Sequence, residues 1–211
     1  MIEEVNQASV PTLRRLPLYL HYLKQLQSNG ILYISSTTLA KQLKFEAIQV
    51  RKDLSVTGIV GRPKIGYPVP ELIKKIQMFI NWDTTMNAVI IGAGALGSAL
   101  LGYNGFEDSG LKIIAAFDSD PNKIGSIIRG RNVHSLNDLE EFINKNNILV
   151  GIITVPAEFA QNICDILVKA NIKGVWNFTP AVLETPDNVI VKNQDPIRGL
   201  AELTYRLKNI M

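Results

Sequence analysis

The chain has 211 residues, 46% of them hydrophobic, and a formal net charge of +3. That is room for two modest domains or one large one, and it excludes wholesale disorder. A single cysteine, Cys164, excludes a disulfide framework within the chain; with no signal-type leader and no 18-residue apolar run, the sequence reads as soluble and cytoplasmic.

The charge is unevenly placed. Residues 1–80 carry 11 lysines and arginines against 5 carboxylates, a net of +6, and residues 81–211 carry 11 against 14, a net of −3. A basic head on a mildly acidic body fits a polyanion partner for the head alone, although ordinary surface variation gives the same imbalance.

In the head, Pro11 sets the first turn of a helix with Ser9 near as cap, and Leu13 to Leu26 carry a broad apolar stripe that Asn29-Gly30 ends. A strand-like piece, Ile31 to Ile34, follows. Ser35 or Ser36 then caps a short helix over 37–43, and a break at Lys44-Phe45 leads to a third helix over about 46–57. Its inward positions are Ile48 or Val50, Leu54 and Val56; its outward side holds Gln49, Arg51, Lys52 and Ser55. Two short helices of which the second is polar and basic suggest a helix-turn-helix pair. Gln and Arg read base edges while Lys and Ser serve phosphates. Arg51-Lys52-Asp53 also reads as a partly internal ion pair, which would reduce what it offers to DNA. Gly58 to Tyr67 reads as a glycine-punctuated hairpin with Arg62 and Lys64 near its tip, a basic wing suited to a minor groove or its flanking phosphates. A small helical dimerisation module with a decorated surface fits the same spacing. Pro68 and Pro70 end the hairpin, a helix runs over 71–80, and residues 81–85 form the linker.

The body opens on a near-continuous apolar strand, Met86 to Ile91, and breaks into Gly92-Ala93-Gly94-Ala95-Leu96-Gly97. Gly92 allows a tight turn, Gly94 lets the main chain approach a pyrophosphate, and Gly97 allows close packing of helix on strand. A second strand, Lys112 to Phe117, ends at Asp118, 21 residues beyond Gly97, the spacing wanted for a carboxylate on an adenosine ribose 2′-OH. Such a carboxylate repels a 2′-phosphate, so NAD(H) is preferred over NADP(H). A degenerate fold of the same kind that binds nothing is the alternative.

Residues 127–136 form a short, loosely patterned passage, and His134 reads as a loop residue. A helix over 136–143, a strand over 149–154 ending in Val155-Pro156, a helix over 159–170 and a strand over 173–178 ending in Thr179-Pro180 continue the alternation expected of an open α/β sheet. Thr154, Asn177 and Thr179 are candidate polar contacts to the ribose or nicotinamide half, or equally caps and turn closures. After Val189-Ile190-Val191 comes a terminal helix with Leu200, Leu203, Leu207 and Ile210 in a stripe that needs a surface, its own sheet or a partner subunit.

No catalytic residue is assigned. Two histidines, His21 and His134, follow no substrate-binding segment, and no Ser-Tyr-Lys set stands at a credible spacing. Cys164 lies in an apolar stripe and reads as core. No cluster suggests a metal site. The expectations are therefore a nucleotide-reading DNA-binding protein, against a small NAD-dependent oxidoreductase or a nucleotide-insensitive repressor with a scaffold body.

Many separated blocks carry a resemblance. They are Thr12-Leu13-Arg14-Arg15-Leu16-Pro17, Ser35-Ser36, Gln49-Val50-Arg51-Lys52-Asp53-Leu54-Ser55 and Gly66-Tyr67. The glycine turn follows, then Leu101 to Phe106, Ala115 to Asp118, Thr154 to Glu158 and Asn177 to Pro180. In this order they resemble the Rex family of bacterial redox-sensing transcriptional repressors over nearly the full length.

The resemblance implies a winged-helix domain over 1–80, a Rossmann-type domain over 86–194 and a C-terminal dimerisation helix over 195–211 exchanged between the subunits of a homodimer. The heads would bind a palindromic operator through Ser36, Gln49, Arg51, Lys52, Ser55, Arg62 and Lys64. NADH would close the dimer and release DNA, whereas NAD⁺ is compatible with binding. The cofactor would be held by Gly92, Ala93, Gly94, Ala95, Leu96, Gly97, Asp118, Thr154, Val155, Pro156, Asn177, Pro180 and Tyr103. Arg15, Tyr103 and Asp195 match state-dependent switching contacts, with Asp195 supplied across the dimer. The chain departs from the family's pattern in the wing, where Val56 to Lys64 lack its aromatics, and at Pro196, where the family usually has another apolar residue.

Overall fold

The computed structural model describes residues 8–194, 196–208 and 210. The chain divides into two compact units, Met1–Thr84 and Thr85–Met211.

In the first unit, α1 (Val10–Ser28) starts where Ser9 Oγ accepts the Thr12 amide at 3.3 Å, with Pro11 in the first turn. A two-residue strand, β1 (Tyr33–Ile34), leads to α2 (Ser36–Leu43). Ser35 is the cap of α2, accepting the Thr38 amide at 3.0 Å; Ser36 is its first helical residue. Lys44, in the left-handed region at φ 58°, ends α2, and α3 (Ala47–Ser55) follows after two residues, completing the helix-turn-helix. The loop beyond α3 closes on itself through paired backbone hydrogen bonds between Arg62 and Gly66 (2.8 and 2.9 Å), then forms β2 (Tyr67–Pro68), which pairs antiparallel with β1. Gly66 has φ +97°, and a Cβ there would run into the Ile34 carbonyl, so this wing base requires glycine. The next helix, α4 (Val69–Phe79), begins two residues earlier than the sequence reading, because Pro70 is compatible with a first turn.

Leu16, Tyr19, Leu20, Leu23, Leu39, Val50, Leu54, Leu72 and Ile76 form the core of this unit. Burial of each such side chain stabilises by about 1.5–3 kcal/mol before conformational entropy is set against it. Of the alternatives for the inward face of α3, Val50 is buried and Ile48 is exposed. Trp82 packs against the same core, so part of the span read as linker belongs to the head's packing.

The second unit is a seven-stranded sheet in the order β5-β6-β4-β3-β7-β8-β9. Its strands are β3 (Met86–Ile91), β4 (Leu111–Asp118), β5 (Ile127–Ile128), β6 (Arg131–Ser135), β7 (Val150–Ile153), β8 (Gly174–Asn177) and β9 (Ile190–Asn193). All pairings are parallel except β5 with β6. The helices are α5 (Ala95–Leu101), α6 (Leu139–Asn146), α7 (Ala157–Lys169) and α8 (Pro196–Lys208). The period of two along β3 sends Val89 and Ile91 into one core with Phe117, Leu139, Ile163 and Leu167, and Ala88 and Ile90 into the other with Leu101 and Ile113. A register shift opposite Ala88 and Val89 puts Ile113 and Ala115 of β4 on opposite faces although they are two residues apart.

Residues 127–135 correct the sequence reading. They are a hairpin whose second strand extends the parallel sheet, and His134 is a strand residue with its ring 5.5 Å from Phe117 and 5.1 Å from Phe142. On the other face, Tyr103, Phe106, Trp176 and Phe178 stack in series at 4.9, 5.4 and 5.0 Å. The α8 stripe is solvent-exposed at Ile197, Leu200, Leu203 and Leu207.

Candidate functional site

At one edge of the sheet β3 and β7 lead straight into Gly92 and Thr154 and β4 ends in Asp118, where an open parallel sheet places ligands. Gly92 has φ +102°, and a Cβ there would lie 2.9 Å from the Thr154 carbonyl; a Cβ on Gly97 would run into the Gly92 carbonyl. Both glycines are therefore demanded by packing. Gly94 differs: a Cβ there would meet nothing within 4 Å. It faces a cavity of about 630 Å³, also lined by Gly92, Asp118, Thr154, Val155 and Pro156. Thr154 Oγ1 lies 2.8 Å from the Gly92 carbonyl and 3.0 Å from that of Ile91, tying the turn to β7.

Asp118 is the carboxylate among the residues that line this cavity. Its Oδ2 accepts the Ala93 amide at 2.8 Å and Lys123 Nζ at 3.0 Å, and its Oδ1 accepts the Asp120 amide at 2.9 Å. Burial alone would push this carboxyl's pKa up; the Asp120 amide, Lys123 and the Ala93 amide outweigh it and hold the group below the usual carboxylate range. Lys123, Phe159 and Asn162 also line the cavity and were not singled out from sequence. Lys123 stands five residues past Asp118 on the Asp120-Pro121 turn, a signal that such a turn carries only once its fold is known.

The remaining expected contacts are distributed elsewhere. Ala93, Ala95, Leu96 and Gly97 form the turn and the start of α5, with Leu96 exposed. Tyr103 lines a second hollow, of about 310 Å³, with Phe106, Arg129 and Arg131. Asn177 is fully buried. Its Oδ1 accepts the Thr179 amide and hydroxyl (3.0 and 2.8 Å) and its Nδ2 donates to the Ala181 carbonyl and Asn193 Oδ1 (2.8 and 2.9 Å). An amide has two donors and two acceptor lone pairs, so Asn177 shapes the turn that leads to the exposed Pro180 and keeps no group for a direct contact. Asp195 lies outside the described residues.

In the head, Arg51, Lys52 and Ser55 are exposed on α3, and Arg62 and Lys64 are exposed on the wing; Ser36 is half-buried. The internal ion pair expected within Arg51-Lys52-Asp53 is corrected. Asp53 turns inward, where it accepts Arg15 Nε at 2.6 Å and Nη2 at 2.8 Å, the Tyr19 hydroxyl at 2.6 Å, the Thr12 hydroxyl at 3.0 Å and Gln49 Nε2 at 3.0 Å. Burial pushes the Asp53 pKa up, and the bonds from Arg15, Tyr19, Gln49 and Thr12 more than reverse it. Arg15, matched above to a switching contact, is the cation of this hub.

Neither histidine lines the cavity: His21 is exposed beside Gln25, and His134 is held between phenylalanines. Cys164 is buried in the core, with its thiol pushed up by burial and then by the neighbouring Asp165 charge. Among the described residues no group of three or more His, Cys, Asp or Glu could hold a metal ion, and no helix is long and apolar enough to cross a membrane.

A winged helix-turn-helix with a cationic outer face, followed by a parallel sheet with a glycine-lined crevice, defines a DNA-binding head joined to a nucleotide-type body. Comparison with known proteins makes this specific. Residues 83–181 match the family described as CoA binding domain, and residues 8–55 match "Putative DNA-binding protein N-terminus". The redox-sensing transcriptional repressor Rex of Treponema denticola is 47% identical over 92% of this chain and 93% of its own length; that of Carboxydothermus hydrogenoformans is 42% identical over 93% and 95%. Among solved structures, RSP in complex with β-NAD⁺ and operator DNA superposes with a TM-score of 0.91 at 39% identity, covering 96% of this chain and 94% of that one. RSP in complex with β-NADH gives 0.85 at 39% identity over 96% and 95%. The chain belongs to the Rex family of redox-sensing transcriptional repressors.

Proposed function

We propose that this chain represses transcription as a cytoplasmic homodimer that binds a palindromic operator and reads the NADH/NAD⁺ ratio. The observation that carries the reading is the crevice itself. Gly94 leaves room against the main chain where a side chain would stand, and the ionised Asp118 closes one side. The relatives support both ligands, since RSP has been solved with β-NAD⁺ and operator DNA and with β-NADH.

In this reading the glycine turn from Gly92 to Gly97 holds the pyrophosphate and Asp118 the adenosine ribose hydroxyls, with Thr154, Val155 and Pro156 flanking the crevice. Tyr103 and Pro180 serve the nicotinamide half, and Asn177 positions the turn before Pro180. Bound NAD(H) supplies a positive ring when oxidised and a neutral one when reduced. Arg15, Tyr103 and Asp195 couple that difference to the dimer. The exposed stripe on α8 is covered by exchange with the second subunit. Domain roles follow as winged helix over 1–80, linker over 81–85 with Trp82 packed on the head, nucleotide-binding domain over 86–194 and dimerisation helix over 195–211. Ser36, Gln49, Arg51, Lys52, Ser55, Arg62 and Lys64 face DNA, and a dimer closed by NADH misaligns the two recognition helices with the half-sites.

The test is operator binding by fluorescence anisotropy at fixed salt, titrated separately with NADH, NAD⁺, NADPH and coenzyme A. Release by NADH at concentrations where the other three leave the complex intact is the expected result. Binding indifferent to all four would reduce the body to a scaffold, and steady oxidation of NADH by a small carbonyl would restore the oxidoreductase reading.

A further inference from the structure

The head holds one carboxylate on the buried side of α3, and that carboxylate settles the orientation of a side chain at the edge of the outer face. Gln49 is the third residue of α3 and half-buried, one turn before Asp53, to which its Nε2 donates at 3.0 Å. The oxygen and nitrogen of a glutamine amide are ordinarily interchangeable by a flip. Here the flip is closed off. An ionised carboxylate only accepts hydrogen bonds, so an amide turned the other way would set its oxygen against Asp53 Oδ1. Asp53 is held in place by Arg15, Tyr19 and Thr12, none of which belongs to α3. With one N–H spent on Asp53, the Gln49 amide keeps its acceptor oxygen and its second N–H.

We infer that Gln49, oriented by Asp53, reads adenine at one position of each operator half-site, which makes Gln49 a specificity-determining residue and Asp53 its positioning residue. The inference rests on the operator-binding reading above. An acceptor beside a donor complements the N6 amino group and N7 of adenine in the major groove, whereas guanine shows two acceptors there and rejects it. The location agrees, since the N-terminal residues of a recognition helix are those that reach base edges. Arg51 and Lys52, exposed and not engaged by Asp53, then serve phosphates or other positions without fixing this one.

The experiment selects half-sites from a randomised palindromic duplex pool with the full-length chain, then repeats binding with Gln49→Ala. Each half-site adenine is next replaced, one position at a time, by 7-deazaadenine, which removes only N7. One adenine per half-site is expected where 7-deazaadenine weakens wild-type binding about tenfold and leaves Gln49→Ala unchanged. The modification lies in the DNA, so folding of a variant does not confound the wild-type result. Asp53→Asn, whose amide also donates, releases the flip. It should erode the adenine-over-guanine preference at that pair while the salt dependence set by phosphate contacts stays the same, which a general loss of head structure would not do. Equal losses in wild type and Gln49→Ala at every adenine, or half-sites without an A·T pair, would overturn the inference with the operator reading intact. A pool with no sequence bound above background would overturn both.

Discussion

Among the described residues, the two units each bury one carboxylate, and the pair differ in what surrounds them. Asp53 is 1% exposed and receives five hydrogen bonds from four side chains of its own unit. Asp118 is 9% exposed, receives two backbone amides and one lysine, and stands on a cavity. The first is saturated and fixes helices to one another. The second is held by two main-chain amides and by a lysine that is about a third exposed. A saturated carboxylate specifies structure; one that lines a cavity at a sheet edge with accepting capacity left is available to a ligand.

Removal should break the contrast most sharply at Asp53. Asp53→Ala leaves Arg15 and the buried Tyr19 hydroxyl without their acceptor, and we expect a loss on the order of 3 kcal/mol, seen as earlier unfolding of the first unit in a chemical denaturation followed by circular dichroism. Asp118→Ala should cost the second unit less, about 1–2 kcal/mol, because the donors it strands are two main-chain amides and a partly exposed lysine rather than a buried hydroxyl and a guanidinium. Its larger effect should be on ligand choice, with NADH affinity reduced and the preference for NADH over NADPH narrowed about tenfold in calorimetric titrations.

Acidification should sharpen the comparison. Both carboxyls titrate below their unfolded value of about 3.9, so their stabilisation is complete above that value and is lost as pH falls through the lowered ones. In acid titrations of the full chain, Asp53→Asn should flatten the response of the first unit and leave that of the second unchanged; a shift in both would show that the units are coupled. Lys123→Met is expected to change stability by less than about 1 kcal/mol, its ion pair being partly exposed, while lowering any residual NADPH binding measured by calorimetry. The exposed Lys169–Glu140 pair provides the floor: Lys169→Ala should shift the unfolding midpoint by no more than the equivalent of about 0.5 kcal/mol.

Much of the body was legible because its signals are local. An apolar strand, a glycine turn and an acidic strand end are each readable over a few residues, and Gly92, Gly94 and Asp118 meet at one crevice as their spacing implies. The β5–β6 hairpin was missed for a physical reason. Only Val133 of its residues is fully buried, so a strand next to the sheet edge that reads Arg-Asn-Val-His-Ser carries little alternation to detect. The Asp53 hub was missed for another. Its cation, Arg15, lies 38 residues away on a different helix, while the adjacent Arg51 and Lys52 offered a nearer and mistaken partner. Spacing reports what one element does with itself; the choice between partners on separate elements is made by packing.

The two tryptophans of the chain fall one to each unit, Trp82 against the core of the first and Trp176 in the aromatic series of the second, where its indole N–H is buried without an acceptor. Tryptophan emission from the native chain therefore has one source per unit. Trp82→Phe leaves a fluorophore that reports only on the body and, through Phe106, on the Tyr103 hollow; Trp176→Phe leaves one that reports only on the head. Events in the two units can be timed separately in a single stopped-flow experiment, with no label attached.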